Sequence, residues 1–218
     1  MTSRKQQAVL ATVIGDVVGS RGTEDRQALH DRLSDLLARV NARTDPLVPL
    51  RITVGDEYQG CYDSVGAALA ASFALRVAAL PDLDLRHGVG WGAVAVLAEE
   101  PRVEDGPGWW AARAAIERVA EDAGRAATHR TRTAYHRDEE AADGPEAAAV
   151  NAALLLRDQV LGGLSERSLG VLRGLMSGQA QRAIADDVGI SASAVSQRVR
   201  NDGLAVLLAA EEMLGEVR

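Results

Sequence analysis

The tightest constraint in the sequence lies near its start. Ala8 to Ile14 (AVLATVI) is an apolar run rich in β-branched residues, cut off at once by Gly15 and Asp16. Such a run reads as a buried strand, and the Gly-Asp-Val-Val-Gly-Ser that contains the break reads as a polar turn. A buried strand needs neighbours, and the next segments supply them. An amphipathic helix follows Thr23, roughly Asp25 to Arg43, with Leu29, Leu33, Leu36, Leu37 and Val40 on one face. Leu47 to Val54 reads as a strand, Gly55-Asp56 as a tight turn, and Glu57 to Tyr62 as the returning strand. Ser64 caps an Ala-rich helix that Pro81 ends after Leu80. Leu83 to Gly92 and Ala93 to Leu97 read as a second hairpin. Trp109 to Ala123 reads as a helix with Gly124 at its C-terminal end, and Thr131 to His136 as a short strand. This alternation predicts an α+β fold, one ferredoxin-like sheet with helices packed on it.

Asp138 to Glu146 (DEEAADGPE) is acidic, contains Gly-Pro and reads as a linker or exposed loop. Everything after it has helical periodicity. The sequence therefore predicts two domains, 1–145 and a small all-α domain over 146–218. The chain has 218 residues, 47% hydrophobic and 25% charged, which suits a soluble globular protein with a sizeable core. Cys61 is a single cysteine, so no intrachain disulfide can form, and a cytoplasmic location is expected. No signal peptide is read in Met1 to Gln7, no apolar run is long enough to cross a membrane, and no membrane partner is expected. Zinc-type Cys/His clusters and the Walker and Rossmann glycine patterns are absent from the sequence. The net charge of −7 gives no global attraction to nucleic acid, so DNA contact would need a local patch.

QRAIADDVGISASAVSQRVR, residues 181–200, has the spacing of a helix-turn-helix. Ala185 lets two helices approach, Gly189 permits the positive φ of a sharp turn, and Ser191 can cap the second helix. Ile184, Val188, Ile190, Val195 and Val199 would face inward. Ser191, Ser193, Ser196, Gln197, Arg198 and Arg200 are the candidate DNA-binding residues, since Ser and Gln reach base edges and Arg pairs with guanine or phosphate. No acidic residue falls between Val188 and Asn201. Ala147 to Arg218 nevertheless holds seven arginines against eight acidic residues, so affinity for DNA would depend on a homodimer. The segment resembles the helix-turn-helix of sigma factor region 4 and of LuxR-type regulators. A three-helix packing or dimerisation module is the structural alternative.

Two acidic residues, Asp16 in IGDVVGSR and Asp56 in TVGDEYQG, follow glycine where strands turn. If their strands are neighbours, both carboxylates can reach one spot, a donor set that suits Mg²⁺ or Mn²⁺ with substrate phosphates. Backbone N–H groups after Asp16, from Val17, Val18, Gly19 and Ser20, could hold an anion. Over residues 8–125 the pattern resembles class III nucleotidyl cyclases: Asp16-Val-Val-Gly-Ser20, Gly55-Asp56, the Arg86-to-Gly92 glycine run and Gly106 to Arg113. IGDVVGSR, TVGDEYQG and DGPGWWAARAAI together resemble the SatD family. The cyclase resemblance implies Asp16 and Asp56 as metal ligands beside a nucleotide, a purine triphosphate, with Arg51, Gly55, Glu57 and Arg113 as further nucleotide contacts. It departs from the pattern at two positions. Ile52 stands where cyclases usually place a purine-reading Lys, and Trp109 stands where they place a transition-state Asn. Losing these should damage cyclisation more than binding.

Glu57 is open between metal ligand, tuning neighbour and strand residue. Trp109 and Trp110 are open between stacking on a base or partner and burial. His87 reads as structural, and His129 and His136 as surface residues. The reading as a whole is a nucleotide-responsive, dimeric DNA-binding regulator with a degenerate cyclase-like sensor. The alternatives are an active divergent cyclase or NTP-processing enzyme with a DNA-binding appendage, and a DNA-binding protein whose first domain only dimerises.

Overall fold

A computed structural model describes residues 8–141 and 143–218. Met1 to Gln7, where the absence of a signal peptide was read, lie outside them. Among the described residues are six strands and eight α-helices. The first part runs β1 (Ala8–Val17), α1 (Arg26–Thr44), β2 (Val48–Val54), β3 (Glu57–Tyr62), α2 (Val65–Ala79) and β4 (Leu85–Glu99). This is the βαββαβ order of a ferredoxin-like unit, and the sheet order β2-β3-β1-β4 agrees with it. β5 (Arg102–Asp105) then pairs with the far end of β4, α3 (Pro107–Asp122) crosses the sheet, and β6 (Thr133–Arg137) joins β4 in parallel.

The apolar run of β1 sits in the middle, hydrogen-bonded to β3 on one side and β4 on the other. Strand alternation splits its residues between two layers. Ala11, Val13 and Val17 enter a core with Leu29, Leu33, Leu36, Leu37 and Val40 of α1 and Leu69 and Leu75 of α2. Ile14 turns to the other face and meets Trp109, Ala112 and Ile116 of α3. Asp25 caps α1, its side chain accepting from Ala28 N–H, and Ser64 caps α2 in the same way through Ala67 N–H.

The expected hairpin with a turn near residue 92 is replaced by one unbroken strand. β4 passes straight through Gly88, Gly90 and Gly92, and the turn comes later, before β5. These glycines admit a helix. A Cβ on Gly90 would lie 2.2 Å from Gly108 O, and one on Gly88 would lie 2.1 Å from Ala112 O. Both contacts are to α3 backbone, so α3 lies almost directly on the strand. Thr12 of β1 donates its hydroxyl to Gly108 O at 2.8 Å and fixes the same seat.

The remaining helices are α4 (Ala147–Leu161), α5 (Glu166–Met176), α6 (Gln181–Val188), α7 (Ala192–Asn201) and α8 (Leu204–Gly215). They share cores with the sheet layer. Val150 and Leu154 of α4 and Leu214 of α8 belong to the main core. Phe73 and Val77 of α2 belong to a second core with Leu169, Leu172, Ile184, Val195 and Leu204. Gly189, at φ 69°, joins α6 to α7, and the Ser191 hydroxyl accepts from Ala194 N–H at the start of α7. No helix among the described residues is long and apolar enough to cross a membrane.

Candidate functional site

β1 ends where its strand alternation puts Asp16 on the α3 face. Asp16 stands directly across from Arg86 of β4 in the ladder. Arg86 grips it with both ends of its fork, Nε to Oδ1 at 2.8 Å and Nη2 to Oδ2 at 2.6 Å. This bidentate pair holds the Arg86 guanidinium above its ordinary pKa. β3, which carries the second half of TVGDEYQG, pairs with β1, with Gly15 across from Tyr58, while β2 lies one strand further out. The β2–β3 turn still brings Asp56 to β1, where its Oδ2 accepts Val17 N–H at 3.1 Å. One residue on, Glu57 receives Arg113 of α3 in a second bidentate pair, at 2.7 and 2.8 Å. That pairing raises the pKa of Arg113 as well.

These groups line a cleft of about 480 Å³ that includes Asp16, Gly19, Ser20, Asp56, Glu57 and Arg86. Arg26 also lines it and donates to Ser20 O at 3.2 Å. Gly19 takes the left-handed conformation, φ 74° and ψ 10°, and turns the chain into a short 3-10 segment, Ser20–Gly22. Val17 N–H is taken by Asp56 and Val18 N–H by Asp84 O at 2.8 Å, so an anion would find Gly19 and Ser20 rather than those two.

The other expected contacts fall elsewhere. Arg51 does not line the cleft; its Nη2 lies 3.8 Å from Glu104 Oε2 of β5. Gly55, at φ 63°, shapes the turn behind Asp56. Trp109 is 7% exposed and packs in the α3 core, which resolves its role as burial. Trp110 is exposed and donates Nε1–H to Asp105 at 3.0 Å. Ile52 packs against the main core. His87 is fully buried, with Nε2 2.7 Å from the Tyr58 hydroxyl, while His129 and His136 are exposed. Arg26 and Arg86 were missed as site residues. Arg86 had a weak signal in the glycine run that follows it, but its pairing with Asp16 depends on strand register.

On α7, Ser193, Gln197 and Arg200 are exposed. Ser191 is spent on capping, and Ser196 donates to Gln181 Oε1 at 2.8 Å. Arg198 turns back toward α5, bonding Ser168 at 2.9 Å and Asp202 at 3.2 Å.

Two carboxylates on one cleft are hard oxygen donors. Among the described residues no group of three or more His, Cys, Asp or Glu is arranged to hold a metal. The donor set therefore fits a Mg²⁺ or Mn²⁺ that arrives with phosphate oxygens of its own, and does not fit a resident cage. Among the described residues one oxygen of Asp56 has no partner, whereas Asp16 would have to share or exchange Arg86.

The fold and cleft define an α+β protein with a two-carboxylate site at the end of its central strand. The SatD family profile matches residues 10–216, and the chain belongs to that family. The match runs through both the sheet and the C-terminal helices. A search of curated proteins gives no match. Among solved structures, a bacterial light-regulated adenylyl cyclase is similar at 12% identity, covering 62% of this chain and 44% of its own, with a TM-score of 0.49. The catalytic core of a rhodopsin-guanylyl cyclase with converted specificity, in complex with ATPαS, is similar at 15% identity, covering 51% and 72%, with a TM-score of 0.44. The adenylyl cyclase CyaB from P. aeruginosa is similar at 15% identity, covering 50% and 70%, with a TM-score of 0.40. The chain thus spans less than half the length of the light-regulated cyclase.

Proposed function

We propose that the protein is a divalent-cation-dependent nucleotide-binding protein, a divergent nucleotidyl cyclase or NTP-processing enzyme. One observation carries this reading: Asp16, Asp56, the Gly19–Ser20 turn, Arg26 and Arg86 line one open cleft. Asp16 and Asp56 would hold Mg²⁺ or Mn²⁺, which would neutralise and polarise the phosphates of a purine triphosphate. Arg26, Arg86 and the N–H groups of Gly19 and Ser20 would bind and orient phosphate oxygens. Arg113, paired with Glu57, does not line the cleft, and Trp109 is buried where a cyclase would present a polar group. The chain's own residues therefore favour binding and phosphate positioning over the stabilisation of a cyclisation transition state.

The test is incubation of the purified full chain with each NTP and Mg²⁺ or Mn²⁺, following both binding and product formation. One purine triphosphate should bind only with metal, and Asp16→Ala and Asp56→Ala should each weaken it by roughly a hundredfold. Metal-independent binding, or binding indifferent to both substitutions, overturns the assignment.

A second reading rests on α7, whose Ser193, Gln197 and Arg200 stand exposed beyond a glycine turn. In it, residues 1–145 sense the nucleotide, and the helices of 146–218 contact DNA as a homodimer. Arg200→Ala with Gln197→Ala would then abolish selection of a specific duplex without unfolding the chain. Unchanged selection removes this reading and leaves the first intact.

A further inference from the structure

A second cleft, of about 290 Å³, opens where α1 and α2 meet α5. Arg39 and Arg43 of α1, four residues apart and so on one helical face, line it together with Arg173 of α5. Ala74, Val77 and Ala78 of α2 and Met176 of α5 give it an apolar floor. No acidic residue lines it. Arg39 and Arg43 are exposed and form no ion pair with any described residue. Arg173 is anchored: its Nε donates to Val77 O at 2.9 Å and its Nη2 to Leu80 O, leaving Nη1 without a partner among the described residues.

Three guanidinium groups around one concavity repel each other unless an anion joins them. Elsewhere in this chain arginines are widely paired, as Arg86 is to Asp16, Arg113 to Glu57 and Arg132 to Asp84. The floor adds a second requirement. A bare phosphate would leave the Ala74, Ala78 and Met176 surface wet, whereas an apolar body attached to the anion would cover it. A nucleic-acid backbone supplies the charge and not the apolar body.

We propose that this cleft binds a small organic anion, a phosphate or carboxylate carried on a compact apolar body. Arg39 and Arg43 take the anionic group beside the pre-oriented Arg173, and the α2 floor takes the body. The ligand would tie the helical layer of the sheet to the C-terminal helices. This site is separate from the Asp16–Asp56 cleft and does not rest on its assignment.

Phenyl phosphate is the probe, titrated into the full chain by calorimetry and by thermal unfolding, against inorganic phosphate and phenol. Phenyl phosphate should bind saturably and raise the unfolding midpoint, with inorganic phosphate and phenol each at least roughly tenfold weaker. The Arg39→Ala/Arg43→Ala pair should weaken phenyl phosphate at least roughly tenfold without lowering the ligand-free midpoint. Met176→Ser should do the same from the apolar side without adding charge, and Asp16→Asn should leave binding unchanged. Absence of saturable binding up to about 10 mM, or equal affinity in the double variant, overturns the proposal. Loss of binding in Asp16→Asn also overturns it, by placing the anion in the other cleft. So does loss of duplex DNA affinity in the double variant when no small anion binds, which would make the patch a phosphate-backbone contact.

Discussion

The cleft at the end of β1 and the junction of α2 with α4 are built from the same ion pair, arginine on aspartate, in opposite settings. In the cleft, Asp16 and Arg86 keep 26% and 23% of their side chains exposed. At the junction, Asp158 and Arg76 keep 0% and 2%. Asp158 of α4 accepts Arg76 Nη1 at 2.6 Å, Arg132 N–H at 2.7 Å and Thr133 N–H at 2.8 Å, tying α2, the start of β6 and α4 to one carboxylate. Arg157 beside it reaches Glu211 of α8 at 3.2 Å. Burial lowers the pKa of Arg76 and raises that of Glu211, opposed in each case by the partner charge. A pair in water can exchange partners at little cost, whereas a sealed pair cannot. The first arrangement suits a ligand site and the second fixes architecture.

The largest effect should come from breaking the sealed pair. Asp158→Ala leaves Arg76 charged and buried, and orphans the N–H groups of Arg132 and Thr133. Loss of such a partner costs about 3–5 kcal/mol, measurable by urea denaturation. Adding Arg76→Met should recover part of the loss, because the buried charge is gone while the two N–H groups stay unpaired. A single substitution costing under about 1 kcal/mol would show that the junction is wetter than its burial indicates.

A smaller effect follows from His87, which lies under the cleft against Tyr58 of β3. Burial, with Arg76 of α2 and Arg157 of α4 nearby, holds its pKa well below the usual 6.5. The folded protein therefore keeps His87 neutral where the unfolded chain protonates it. Its contribution is fully present above pH 6.5 and is lost as pH falls below that value, because the unfolded state then binds the extra proton. The slope cannot exceed about 1.4 kcal/mol per pH unit. His87→Gln, which can still bond Tyr58, should flatten the wild-type decline in stability between about pH 6.5 and 5.5. Equal slopes in the two proteins would mean that His87 charges freely in the folded state.

The difference between the two regions was only partly visible in the sequence. Local signals carried well: the β-branched run of β1, the Ser64 cap with Pro81 beyond it, Gly189 followed by Ser191, and the Gly55-Asp56 turn. Each is decided within a few residues of the chain. The glycines of β4 misled because close approach and turning use the same residue, and only the position of α3 distinguishes them. Asp16 was marked by the Gly15 break in the apolar run, although the strand continues through it to Val17. Its partner Arg86 lies 70 residues away and was fixed by register. The Arg76–Asp158 pair, 82 residues apart, had no sequence signal at all. The same distance effect hid the sharing of cores between the sheet and the helices after residue 146, which periodicity alone presents as a separate helical block.

The smallest stability effect separates a site from a scaffold. Asp16→Asn keeps the shape of the side chain, leaves one oxygen to accept from Arg86 and removes the charge. An ion pair this close to water contributes about 0–1 kcal/mol, so the variant should unfold within that margin of wild type. Metal-dependent nucleotide binding should nevertheless fall by roughly a hundredfold, because an amide oxygen is a poor substitute for a carboxylate toward a hard dication. The two measurements move independently only if Asp16 serves a ligand. Should stability fall as far as in Asp158→Ala while binding stays intact, the Asp16–Arg86 pair would be a second architectural clamp, and the contrast between the open and sealed pairs would be one of exposure alone.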